Sequence, residues 1–166
     1  MENTQPEQTT VKEQVVKTAP KVASNKKLAI VLVRGLVGLN QRVRDTLQML
    51  RLHRKNNCVI VSDDPIMRGM LQKVKDVVTW GEVNEDTFKK LVDQRGREFL
   101  ARVKDSKGKY SYNGFFELNG KKYHKMFALN PPRKGFGRKG IKTPFTMGGA
   151  LGYRGEKMDD LIARMI

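Results

Sequence analysis

Residues 28–62 read LAIVLVRGLVGLNQRVRDTLQMLRLHRKNNCVIVS, and this stretch decides the fold. Leu28–Arg34 is a continuous run of aliphatic and β-branched residues, short enough for a buried strand. Gly35 and Gly38 punctuate a turn, and Asn40 is a candidate N-cap. Val43, Leu47 and Leu50 recur at i, i+4 and i+7, predicting a helix over about 40–52. Its other side carries Arg44, Gln48, Arg51 and Lys55 at the same spacing, a basic stripe opposite the core face. Asn56-Asn57 breaks the period, and Cys58–Ser62 is a second buried strand.

Toward the C-terminus, Asp64 before Pro65 reads as a cap followed by a first-turn proline. The helix it opens should reach about Val77, burying Ile66, Met70, Leu71, Val74 and Val77. Val78–Val83 is a third strand. Asn84 then caps a third helix, with Glu85 and Asp86 beside its positive dipole end. That helix buries Phe88, Leu91 and Val92 and ends near Gly96. The β-α-β-α-β-α unit over 28–97 is small for independent stability, so it should lean on the C-terminal segment, on a partner, or on both. Alternating strands and helices ordinarily imply parallel strands. Three strands joined by short loops leave the topology open at this point.

Residues 98–166 form a basic extension of irregular texture. Phe115–Leu118 and Lys121–Phe127 flank Asn119-Gly120, the signature of a type I′ hairpin over about 115–127. A glycine-punctuated loop follows over about 130–155, and then a terminal helix over about 156–165 with Met158, Leu161, Ile162 and Met165 on one face. Residues 1–27 are polar and without period, an arm whose composition suits disorder.

The charge narrows the class. Against 17 Asp+Glu stand 33 Lys+Arg in 166 residues, a net +16. Residues 1–27 hold +2, residues 28–97 hold +5 and residues 98–166 hold +9, while Lys121–Arg154 has nine basic residues and no acidic one. A surplus of this size calls for an anionic partner, nucleic acid or an acidic membrane surface. One cysteine excludes a disulfide framework and a cysteine-based zinc site, and two histidines exclude a His-rich metal cage. Leu28–Leu39 is too short for a membrane span and is broken by Arg34. Residues 1–27 lack the apolar core of a secretory signal, so the expected compartment is the cytoplasm.

Catalytic motifs are thin. Gly135-Phe-Gly137-Arg-Lys-Gly140 matches GxGxxG, but Pro131-Pro132 precede it and Pro144 follows, so the required strand and helix are missing. A P-loop fails because Ile141 separates Gly140 from Lys142-Thr143. These glycines better suit a basic backbone threading closely past phosphates. Asp63 and Asp64 read as capping residues before acid–base groups. Cys58, opening a buried strand, reads as a small hydrophobe. His53, in a basic run, is equally a phosphate contact or an ordinary exposed histidine. Tyr123, Phe127, Phe136, Phe145 and Tyr153 interleave the basic stretch; stacking on unpaired bases would suit RNA, and packing back on the core is the commoner use.

Three longer runs carry a resemblance: Val33-Arg-Gly-Leu, the stretch Val43–Cys58, and Met70–Glu82. They resemble the large-subunit ribosomal protein family called L-thirty in bacteria and L-seven in eukaryotes. Pro131-Pro-Arg-Lys-Gly-Phe136 and Gly148–Glu156 resemble its archaeal form, so the likeness covers about 28–97 and 128–166. The resemblance implies an α+β fold: a three-stranded antiparallel sheet backed by helices, related to the ferredoxin-like plait. It implies a non-enzymatic constituent of the large ribosomal subunit, needing no cofactor, contacting large-subunit rRNA near 5S rRNA and meeting neighbouring ribosomal proteins. Carried over by position, Arg34, Arg42, Arg44, Arg51, His53, Arg54 and Lys55 would face RNA, as would Arg133 and Lys134. Arg138, Lys139, Lys142 and Arg154 join them on charge. The arm over 1–27 and the stretch about 104–126 depart from the family pattern. The alternative is a free-standing basic RNA-binding or chaperone protein; a nucleotide enzyme built on the 135–143 glycines is a third reading.

Overall fold

A computed structural model of the protein describes residues 27–111 and 114–166. The arm read over 1–27 lies, Lys27 apart, outside the described residues. Strand β1 (Lys27–Leu32) leads through a glycine turn to helix α1 (Gln41–Met49), then to β2 (Asn57–Ser62), α2 (Pro65–Val74), β3 (Val78–Val83) and α3 (Glu85–Arg95). The central strands are antiparallel: β1 lies between β2 and β3, with Lys27 opposite both Ser62 and Val83. The α/β alternation therefore does not produce parallel strands here.

Two faces of β1 explain its unbroken apolar sequence. Leu28, Ile30 and Leu32 pack with Leu47, Leu50, Leu71 and Val74 beneath α1 and α2. Ala29 and Val31 face the other way, toward Leu91 and Val92 of α3. A strand covered on both sides has no position for a polar side chain. The C-terminal segment supplies the rest of that second face. Helix α4 (Met158–Met165) buries Met158, Leu161, Ile162 and Met165, the four residues its spacing selects.

The sheet is wider than three strands. Its order is β6-β2-β1-β3-β7, where β6 is Met126–Ala128 and β7 is Gly152–Tyr153. β6 adds antiparallel to β2, whereas β7 adds parallel to β3. The hairpin forms as its turn dictates: β4 (Phe115–Leu118) pairs with β5 (Lys121–His124) around Asn119 and Gly120, both at positive φ (51° and 75°). Yet Lys121–Phe127 is not one strand. β5 ends at His124, and Phe127 crosses into the main sheet opposite Cys58, because its ring is buried there.

Other departures have local causes. Helix α1 stops at Met49, with Leu50 as its C-cap, since Arg51 takes a left-handed φ of 60°. There the Leu52 N–H donates to Leu47 O and the Arg51 N–H to Gln48 O, both at 2.9 Å, a Schellman closure with arginine where glycine is usual. α2 ends at Val74, not Val77. Ile66 is 76% exposed, not buried; five residues before Leu71, it projects about 140° away from the buried stripe. Asp63 and Asp64 make no side-chain cap. Asp64 occupies the N-cap position but accepts from Ser62 Oγ at 2.6 Å, and buried Asp63 forms an ion pair with Arg68 (Nε to Oδ1 2.6 Å).

Candidate nucleic-acid interface

The register gives the molecule two unlike ends. At one, β1 starts and β2 and β3 finish, and the sequence there supplies Asp63, Asp64, Glu82, Glu85 and Asp86. At the other, β1 runs out into Arg34 and β2 begins just after Arg54 and Lys55. The Asn56 N–H donates to Leu32 O at 2.8 Å, pinning that basic turn against the end of β1.

One hydrogen bond and one apolar cluster bring the second basic stretch to this same end. The Leu129 N–H donates to Asn56 O (3.2 Å), so the chain leaves β6 beside the Arg54–Asn56 turn. Val33 packs with Ala150, Leu151 and Phe136, seating the glycine loop against the first strand. The loop is then stapled to α4. The Arg133 N–H donates to Arg164 O (3.0 Å), while the Arg164 guanidinium donates to Gly135 O (3.0 Å) and Arg133 O (3.3 Å). Lys134 and Gly135 turn at positive φ (65° and 75°), and a Cβ on Gly149 would strike the Thr143 backbone.

The outward residues are cations. Arg42, Arg44, His53, Arg54, Lys55, Arg133, Lys134, Arg138, Lys139 and Lys142 are exposed, and Arg34 is half-buried with Nη1 on Asp76 O at 3.1 Å. None of these eleven forms an ion pair among the described residues. Arg51, half-buried at its left-handed position, turns toward the hairpin instead, where a Cβ on Gly114 would lie 3.4 Å from its Nη1.

Arg154 does not belong with them. It is 7% exposed; its guanidinium donates to Thr79 Oγ1, Phe136 O and Ala150 O and lies 4.3 Å from the Phe145 ring centre. Burial, followed by the neighbouring Arg164, holds its pKa below the ordinary arginine value. It fastens β7 and the glycine loop to β3, and has no reach to a phosphate. Arg164, which sequence reasoning missed, is the other fastener. The only hint in the sequence was an arginine in the last turn of the terminal helix, where cations meet carbonyls.

The aromatics divide the same way. Phe127 is buried, Phe136 packs under the basic loop, Phe145 lies against Arg154 and Tyr123 stacks on Phe116 at 5.8 Å. Tyr153 stays 53% exposed. Burial pushes the Cys58 thiol up to about 12, leaving no thiolate for chemistry at neutral pH. Among the described residues, no group of His, Cys, Asp or Glu could hold a metal ion, and no helix is long and apolar enough to cross a membrane. Around the GxGxxG glycines there is neither a preceding strand nor an opening helix, so the dinucleotide geometry is lacking.

The sequence has known relatives. The profile of the family described as Ribosomal protein L30p/L7e matches residues 28–78. The chain is 45% identical to the large ribosomal subunit protein uL30 of Nanoarchaeum equitans, over 83% of this chain and 97% of that one. The chain belongs to the uL30 family. The uL30 of Methanopyrus kandleri is 42% identical over 81% of this chain and all of its own length, and that of Methanosphaera stadtmanae 41% over 83% and 99%. These relatives are matched almost end to end, so the family likeness takes in the C-terminal extension as well as the first three strands.

Proposed function

We propose that the protein is a non-catalytic structural constituent of the large ribosomal subunit that binds rRNA through the basic end of its sheet. The observation that carries this reading is convergence: cations from 34–55 and from 133–142, far apart in sequence, meet at one end of β1 and β2. The carboxylates near them, Asp76 beside Arg34 and Asp45 on α1, form no ion pair with them among the described residues, so most of this charge is left for the phosphates of a folded RNA. The acidic residues at the opposite end orient the field, so that RNA approaches from one side. A surface built from two chain segments on a common core holds neighbouring RNA strands in fixed relation, the role a scaffold needs. The position near 5S rRNA, implied by resemblance, belongs to this proposal, as do the contacts of Arg34, Arg42, Arg44, Arg51, His53, Arg54 and Lys55.

Binding to large-subunit rRNA should weaken steeply with salt. Replacing Arg133, Lys134, Arg138 and Lys139 together with alanine should flatten the plot of log K against log salt by about 3, at 0.7–0.9 per phosphate. The same variant should enter large subunits poorly, as read by sedimentation. An unchanged slope with normal incorporation would sink this set of contacts.

A further inference from the structure

Between α3 and β4 the chain makes a second, smaller turn whose chemistry the basic end does not use. Lys104 and Ser111 form an antiparallel bridge, the Asp105 N–H donates to Tyr110 O, and the Gly108 N–H donates to Asp105 O, both at 2.9 Å. Gly108 sits at φ 66°, as a tight reversal requires. The Asp105 carboxylate accepts from the Ser106 N–H at 2.8 Å and keeps its charge, so the turn sets three lysines against one acid. Lys104, Lys107 and Lys109 are left exposed, with no ion pair among the described residues. Beside them Tyr110 is 64% exposed.

The start of this segment is lashed to the hairpin. Glu98 bridges to Tyr123, the Phe99 N–H donates to Lys122 O (2.8 Å), and the His124 N–H donates to Arg97 O (3.0 Å). The Phe99 ring lies 5.1 Å from Phe115 and 4.9 Å edge-on to His124. Glu98 and Glu117 are occupied by Lys121 and Lys122, so no carboxylate of the hairpin is left to oppose the tip.

Lysines alone would suit any polyanion. A water-exposed tyrosine among three of them suits an unpaired nucleotide, whose base stacks on a ring while its neighbours' phosphates meet ammonium groups. A duplex hides its base faces and would leave the ring unused. We propose that the 104–111 tip is a second RNA contact taking unpaired nucleotides, with Tyr110 stacking on a base and Lys104, Lys107 and Lys109 on flanking phosphates. It rests on the RNA-binding reading above but shares no residue with it.

The test uses the full chain, a short single-stranded oligouridylate and an RNA duplex of equal phosphate count, with affinity read across a salt series. Tyr110→Ala should weaken the single strand about fivefold or more and leave the duplex within about twofold. Tyr110→Phe should bind as the unaltered chain does, because stacking needs the ring and not the hydroxyl. Replacing Lys104, Lys107 and Lys109 with glutamine should flatten the single-strand salt slope by about 2. If the unaltered chain binds neither RNA in a salt-dependent way, the parent reading falls. If it binds both but Tyr110→Ala changes nothing, or weakens both equally, the tip proposal alone falls. Equal displacement of both RNAs by polyglutamate, with Tyr110→Ala silent, would likewise reduce the tip to an unspecific cation patch.

Discussion

Arg154 shows how an arginine in a basic run can serve the protein and not its partner. Its planar fork reaches three oxygen acceptors on β3 and the loop while its face covers Phe145. Arg154→Ala would leave buried carbonyls unpaired, and should cost about 2–3 kcal/mol in denaturant unfolding while leaving the RNA salt slope unchanged. A slope that falls with stability intact would return Arg154 to the RNA set. Cys58 gives a second residue-scale prediction. Its folded pKa is raised from 9.0 to about 12 by burial, so the unfolded chain loses this proton first. The stabilising contribution is full below pH 9 and declines toward pH 12, by up to about 1.4 kcal/mol per pH unit. Cys58→Ala should remove that part of the alkaline decline, seen as a shallower stability–pH curve than the parent's between those values.

Among the elements, α4 carries more than its length suggests. Its four buried side chains close the second face of the sheet, and the Asn84 N–H at the start of α3 donates to Asp159 at 3.2 Å. Each such side chain is worth about 1.5–3 kcal/mol when buried, against a total stability of about 5–15 kcal/mol for a domain. Removing residues 158–166 should therefore abolish cooperative unfolding, checked by thermal melting; a cooperative melt near the parent's would refute it. The element pattern itself was largely legible in the sequence. β3 is Val78–Val83 as read, and the α4 stripe and Asn-Gly turn are local signals that need no tertiary knowledge. β6 and β7 were not legible. A three-residue and a two-residue strand have too little period to announce themselves, and form because an edge of the sheet offers them partners.

Across the whole molecule, the +16 of the chain is sorted in space. The segments 34–55 and 133–142 bring cations to the end of β1, where Asp76 lies beside Arg34, and Asp63, Asp64, Glu82, Glu85 and Asp86 lie where β1 begins. Most of the candidate contacts were visible as basic runs, because uncompensated charge is a property of composition. Arg154 was misread because charge alone cannot tell a side chain facing solvent from one folded under a loop. The sequence by itself determined the elements of the β-α-β-α-β core, the hairpin turn and the need for an anionic partner, since helix period, turn chemistry and net charge are local or additive. Only the tertiary structure decided the antiparallel register, the two edge strands, the meeting of two distant basic segments and the burial of Arg154. Each of these depends on which surfaces the apolar faces of β1 bring together, and that pairing is not written in any one segment.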